Sequence, residues 1–173
     1  RGQLWAVPQD TEARPMYFSK TNLKKMGWTE EDVNALPEKI LAGEFTLEDM
    51  IATCKEGIAA KVVEPGHGYW HRTSSGGDFM QYYVAFGGRM YDEAQDKLVF
   101  VQSAVEEWYA FQRRIVDEGI TPAGYIGTDG SIFHDTVAHQ KCLFWNGGTW
   151  HWADQATNYV ADLGGQVDAR GIA

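Results

Sequence analysis

Three tryptophans stand close together near the end of the chain, around a pair of glycines. In segment 143–152, an apolar run leads into the turn Gly147-Gly148 and then into two further indoles. Each indole offers a rigid apolar face and one N–H donor, and a turn that opens a helix offers backbone N–H groups to ligand oxygens. The pattern favours a surface for a flat, hydroxylated ligand such as a sugar. The candidate contact residues here are Gly148, Trp150 and Trp152.

Two polar segments could supply hydrogen bonds to such a ligand. The loop 9–14 places Glu12 and Arg14 between two apolar runs, and stretch 68–81 mixes aromatic, cationic and acidic side chains beside glycines. Carboxylates accept hydrogen bonds from sugar hydroxyls, and a guanidinium donates in a fixed fork. The candidates in the second stretch are Trp70, His71, Arg72, Asp78 and Gln81. Both patterns also fit a structural role, as a solvated loop and as a strand end whose rings belong to the core.

Catalytic and metal-binding patterns are weak in this sequence. Of five histidines, His134 and His139 share a predicted helix but lack the HExxH spacing that places two ligands on one face. No GxSxG turn or phosphate-binding Lys-Ser/Thr sequence is present. The carboxylates of Glu12 and Asp78 leave a glycosidase-like alternative open, because glycosidases use two acids. We predict no metal, no cofactor and no catalytic residue.

Strands and helices alternate along the chain, which indicates an α/β fold. A hydroxyl with an acid three residues later predicts helix starts at Thr29 and Ser103, and acids in the first turn predict another start at Thr46. Apolar residues at helical spacing follow the last two of these starts. The remaining predictions are short strands over 4–7, 16–18 and 142–145, a helix over 22–26, a helix capped by Asp78 that ends at Phe86, a helix near 130–139, and a helix after Gly148.

The composition indicates one globular domain, which we place over residues 1–173. A formal net charge of −9 argues against nucleic acid as a partner, because both molecules would be negative. No apolar run reaches the roughly 18 residues that a membrane helix needs, and the first residues do not resemble a signal peptide. Cys54 and Cys142 could form a disulfide or remain as two buried free thiols.

Four segments, in order, resemble the extracellular solute-binding proteins of carbohydrate ABC importers, the group that includes the maltodextrin-binding proteins. Segment 4–25 is similar to the family's passage from a hinge strand through a ligand loop, and 45–60 to a helix that follows it. Segment 77–88 is similar to a helix that ends in Gly-Gly, and 131–152 to a helix, an apolar strand and a turn containing Trp. The likeness covers most of the chain.

The resemblance implies one lobe of a periplasmic-binding-protein-like type II fold, with a small central sheet flanked by helices and the second lobe absent. The chain would then be a piece of a longer, exported protein, periplasmic or lipid-anchored outside the cell. It implies a receptor without enzymatic activity, which captures a sugar between two lobes and delivers it to the membrane permease. Glu12 matches a ligand-contacting acid, and Trp150 matches an aromatic that stacks on a sugar ring.

Some features depart from the maltodextrin-binding pattern. The residues 147–149 before Trp150 and the loop containing His71 and Arg72 differ, so the resemblance does not define the sugar. A carbohydrate-active enzyme and a free-standing sugar-binding module are the alternatives. A single lobe would also expose its ligand face, which leaves a dimer through that face possible.

Overall fold

Helices and short strands alternate in the computed structural model, which describes residues 12–74, 76–158 and 167–168. The helices are α1 Lys20–Lys25, α2 Glu30–Leu41, α3 Leu47–Ala59, α4 Gly77–Ala85, α5 Gln102–Asp117, α6 Gly130–Ala138 and α7 Trp150–Asn158. The strands are β1 Met16–Ser19, β2 Tyr69–Trp70, β3 Tyr91–Asp92, β4 Lys97–Leu98, β5 Phe144–Asn146 and β6 Val167–Asp168.

A small mixed sheet joins distant parts of the chain in the order β2-β5-β1-β6. Strand β1 runs antiparallel to β5, with Met16 opposite Asn146, while β2 runs parallel to β5. Strands β3 and β4 form a separate antiparallel pair. The α/β prediction, with a small sheet flanked by helices, is confirmed.

Strands β1, β2 and β5 are buried, and most of their side chains divide between two apolar clusters. Phe18 and Phe144 belong to the larger cluster, which α2, α3 and α5 also supply. Tyr17 and Trp145 point to the opposite face and join a smaller cluster with residues of α6. Their rings stack, with centroids 3.9 Å apart. Side chains alternate along a strand, so two residues that follow each other in a strand point to opposite faces of the sheet. The smaller cluster lies beneath the tryptophan-containing turn.

The sequence correctly locates most helices. Capping boxes at Thr29 and Thr46 are both formed, and in each the carboxylate of an aspartate three residues later accepts a hydrogen bond from the N-cap amide. Helix α3 buries Met50, Ile51 and Cys54, as the helical spacing predicts. These caps satisfy backbone N–H groups that a helix start otherwise leaves unpaired.

Two predicted caps are wrong. Ser103 lies inside the first turn of α5, whose N-cap is Val101, and the Val101 N–H instead donates to the Tyr83 hydroxyl at 2.9 Å. Asp78 is the second residue of α4, whose N-cap is Gly76, and its carboxylate binds arginines. In both places a contact with a distant residue replaces a local cap. The strand predicted over 4–7 and the later part of the last helix lie outside the described residues.

The two cysteines are buried free thiols, which confirms that alternative for Cys54 and Cys142. Burial raises the pKa of Cys142 to about 12, so this thiol stays protonated at neutral pH. No helix within the described ranges is both long and apolar enough to cross a bilayer.

The buried position of β5 yields a stability prediction. Phe144 is fully buried in the larger cluster, so Phe144→Ala should lower the free energy of unfolding by about 3–5 kcal/mol, measured by urea denaturation. The exposed Phe100 is the matched control, and Phe100→Ala should cost less than about 1 kcal/mol. Equal losses for the two variants would contradict the assigned core.

Candidate functional site

Arg14 makes contacts with residues from three separate parts of the chain. Its Nε lies 2.8 Å from Oδ1 of Asp78, and its NH1 lies 3.1 Å from Oε2 of Glu12. Its guanidinium carbon lies 4.2 Å from the centre of the Trp150 ring. Arg72 approaches the other oxygen of Asp78, with Nε 3.9 Å from Oδ2. We call these five residues the Arg14 cluster, and each was a candidate from the sequence.

Sheet pairing places Arg14 beside Trp150. Beyond the ladder of β1 and β5, the amide of Gly147 donates to the carbonyl of Pro15 at 3.4 Å, and that of Thr149 to Ala13 at 3.1 Å. The segment before β1 therefore runs alongside the turn that starts α7. Residues far apart in sequence meet here because the two strands are antiparallel neighbours.

The Asp78 carboxylate is the buried anion of the cluster. Its side chain is 11% exposed, whereas those of Arg14 and Arg72 are 27% and 32% exposed. Arg14 Nε and Asp78 Oδ1 are buried, and neither makes an aligned hydrogen bond within the described residues. Charge attraction therefore supplies most of this contact, and the carboxylate offsets the cost of burying cationic groups.

The Gly147-Gly148 turn is required by close packing. A Cβ at Gly148 would overlap the Trp150 ring, and one at Gly147 would overlap the His151 imidazole. The carbonyl of Gly148 accepts a hydrogen bond from the Tyr17 hydroxyl at 3.3 Å. Several amides of this turn already donate to backbone carbonyls, among them those of residues 147, 149 and 151. Tyr17 was not a sequence candidate, because its stretch predicts only a buried strand.

A groove of about 820 Å³ adjoins the cluster. Arg14, Gln81 and Thr149 supply polar groups, and most other lining side chains are apolar. Gln81 is held by its own helix, since its Nε2 donates to the carbonyl of Asp78 at 2.8 Å. Thr149 is a lining residue that the sequence did not suggest, because it lies between stronger candidates. An apolar groove with a few polar groups at one side is typical of small-ligand sites.

Trp70 and His71 lie in the interior, away from the surface of the cluster. Trp70 is 3% exposed and its indole N–H donates to the carbonyl of Gly66 at 2.7 Å. His71 is 2% exposed and its Nδ1 donates to the carbonyl of Arg72 at 2.8 Å. Trp152 is half-buried against the smaller apolar cluster. In this structure Trp70 and His71 support the loop that carries Arg72 and do not present a surface to a ligand.

A histidine pair lies under the tryptophan turn, with His151 buried and His134 partly buried. The ring centres of His134 and His151 are 5.6 Å apart, and His134 Nδ1 accepts from the Gln155 amide at 2.8 Å. Neither ring nitrogen of His151 makes an aligned hydrogen bond within the described residues. Burial, followed by the charge of Arg72, lowers the pKa of His151 to about 4. This imidazole is therefore neutral at pH 7.

The cluster is suited to binding a polar ligand. It combines two guanidinium groups, two carboxylates and one indole. Arg14 contacts both Glu12 and Asp78, so a guanidinium occupies the space between the two acids, where a glycosidase would hold the scissile bond. Within the described ranges, no group of three His, Cys, Asp or Glu side chains could hold a metal ion.

Comparison with solved structures identifies the fold. Maltose-bound T. maritima MalE3 matches 94% of this chain with a TM-score of 0.69 and 21% sequence identity. The chain shares its fold with this protein and with two ABC transporter solute-binding proteins. One is from Thermotoga lettingae with alpha-D-tagatose, at a TM-score of 0.63, 15% identity and 91% of this chain. The other is from Agrobacterium vitis with bound D-mannitol; it matches 91% of this chain with a TM-score of 0.64 and 17% sequence identity.

The matches cover only part of those proteins. The chain spans 39%, 38% and 35% of the three structures in turn, which agrees with the single lobe that the sequence resemblance implies. No protein-family model matches the chain, and no curated protein does. The likeness to the solved structures therefore establishes the architecture on which the site is built.

Removal of the buried anion should destabilise the chain. We expect Asp78→Asn to lower the free energy of unfolding by about 2–3 kcal/mol, because both arginines lose their shared partner. Asp117→Asn removes an exposed carboxylate that pairs with Arg113 at 2.6 Å and should cost less than about 1 kcal/mol. Chemical denaturation at pH 7 measures both values. A loss at position 78 no larger than at 117 would contradict the assignment.

Because burial lowers the pKa of His151, we expect the chain to lose stability in acid. The pKa of His151 is about 4 in the folded chain and 6.5 in the unfolded chain. Between these values the unfolded state binds a proton that the native state does not, so stability falls as the pH decreases from 6.5 to 4. His151 can contribute a slope of at most about 1.4 kcal/mol per pH unit.

Two variants isolate this contribution in pH-dependent unfolding. His151→Phe should reduce the slope between pH 6.5 and 4, because a buried phenyl ring does not titrate. His139→Gln changes an imidazole that is 63% exposed and should leave the slope close to that of the wild type. An unchanged slope in His151→Phe would show that other groups cause the acid sensitivity.

Proposed function

We propose that this chain is a sugar-binding lobe of a receptor for an ABC importer. The observation that supports this proposal most directly is the position of the Arg14 guanidinium over the Trp150 ring, with Asp78 and Glu12 as its charge partners. An aromatic face next to fixed donors and acceptors is the arrangement that sugar recognition requires. The fold is shared with proteins whose solved structures contain maltose, tagatose and mannitol, which supports the same ligand class.

Each member of the cluster has a role in this proposal. Trp150 supplies the apolar face, and Glu12 and Asp78 accept hydrogen bonds or hold the arginines that donate them. Arg14 covers one face of the indole at 4.2 Å, so a sugar either stacks on the other face or displaces the guanidinium. Gln81 and Gly148 border the cluster, and Trp152 extends the aromatic surface. Trp70 and His71 act by supporting the Arg72 loop.

Transport would depend on the rest of the receptor. In this proposal residues 1–173 form one lobe, and a second lobe closes over the sugar. A permease then recognises the closed state, which the ligand favours by binding it more tightly than the open state. The receptor would work outside the cytoplasm, in the periplasm or on a lipid anchor, without catalysing a reaction. A lobe alone could also dimerise through the ligand face that it exposes.

The test is a titration of the chain with maltose, D-tagatose and D-mannitol, followed by saturation-transfer NMR and tryptophan fluorescence. A single lobe lacks half of the contacts, so we expect at least one ligand to bind with a Kd on the order of millimolar. Trp150→Ala should abolish the response, because it removes the stacking surface. Tyr109→Ala, which removes an aromatic that is 62% exposed on α5, should leave it unchanged.

Three results would argue against the proposal. No response to any sugar would remove the carbohydrate assignment. Submicromolar binding by these 173 residues would favour a free-standing module, since a half-site should not reach that affinity. Release of product from a glycoside, lost in Asp78→Asn, would favour an enzyme.

A further inference from the structure

Arg72 is the cation of the cluster whose charge is least satisfied. Its side chain is two-thirds buried, and within the described ranges its one ion pair is the 3.9 Å contact with Asp78 Oδ2. Arg14 holds the same carboxylate at 2.8 Å and also pairs with Glu12. A guanidinium has five N–H donors and no acceptor, and the third of this side chain that is exposed leaves donors open to solvent. An oxygen-rich anion beside Arg72 would accept hydrogen bonds from them.

The surroundings of Arg72 leave its positive charge effective. Asp78 is the carboxylate within ion-pair distance, and it is shared with Arg14. The Arg72 charge is among the causes that lower the pKa values of His134 and His151, after the larger effect of their burial. The positive charge at this site contrasts with the formal net charge of −9 for the chain.

We propose that the site selects saccharides that carry a carboxylate, with Arg72 as the residue that binds the acidic group. This inference rests on the proposed function and specifies its ligand class as uronic acids. The planar guanidinium matches a carboxylate with two parallel N–H···O hydrogen bonds, while Trp150 contacts the sugar ring. Arg14 stays paired with Asp78 and Glu12 and positions the indole.

The experiment compares three forms of one disaccharide: the neutral sugar, its C6 uronic acid, and the methyl ester of that acid. The ester keeps the shape of the acid and removes its charge. Saturation-transfer NMR and competition give the relative affinities for the 173-residue chain. Glucose-, galactose- and mannose-based sets are tested, so that the ring stereochemistry does not decide the result.

We expect the acid to bind at least about tenfold more tightly than its ester in one of the sets, because a hydrogen bond to a charged group contributes about that much. Arg72→Gln should reduce the ratio to about twofold or less, because the acid loses a charged partner while the ester and the neutral sugar lose only a neutral hydrogen bond. Arg72→Lys should give an intermediate ratio, since it keeps the charge and loses the planar fork. Arg113→Gln is the control, as Arg113 is 77% exposed on α5.

The outcomes separate this inference from the proposed function. If neutral sugars and acids bind equally and Trp150→Ala abolishes both, the receptor function stands and the acidic preference is wrong. If acetate competes as strongly as the uronic acid, the site binds anions without recognising a sugar, and the inference is also wrong. If no saccharide binds, both proposals fail. Should Arg72→Gln not fold, the acid-to-ester ratio of the wild type and its decrease with added salt decide the question.

Discussion

The antiparallel pairing of β1 with β5 is the constraint on which the rest of the site depends. It sets Met16 opposite Asn146 and thereby places the segment before β1 against the turn that opens α7. The hydrogen bonds from Gly147 and Thr149 to that segment continue the alignment past the sheet. Arg14 reaches Trp150 for this reason. A change of register by one residue would exchange the two faces of β1, moving Tyr17 and Phe18 into each other's clusters.

Charge and packing are linked at Arg14. Its guanidinium lies between the carboxylate of Asp78 and the indole of Trp150, so the helix α4 and the turn before α7 are held through one side chain. The turn itself permits this only because two glycines leave room for Trp150 and His151. The histidine pair and Arg72 lie close by, and the neutral state of the buried imidazoles avoids a further positive charge. In the proposed function, a ligand would meet donors that these contacts already hold in place, which would reduce the entropic cost of binding.

The sequence predicted the members of the cluster better than their arrangement. Glu12, Arg14, Arg72, Asp78 and Trp150 were candidates because of their residue types, and local patterns located α3, α5 and β5. The sequence did not show that Trp70 and His71 are buried, because that depends on which face of β2 packs against the smaller cluster. Nor did it identify Tyr83 as the partner of the Val101 amide, since the two are joined by tertiary contact. Local rules describe neighbours along the chain, and the Arg14 cluster is formed by residues from three separate segments.

Intermolecular NOEs between a bound sugar and the protein, measured by NMR, test the proposed site most directly. We expect NOEs from the ring protons of the sugar to the indole of Trp150, together with a shift of the Arg14 Nε–H resonance as its contact with Asp78 adjusts. NOEs confined to Phe45 and Leu47 in the apolar groove, with Trp150 and Arg14 unaffected, would contradict it. The ligand would then occupy the groove, and the Arg14 cluster would be a structural ion pair.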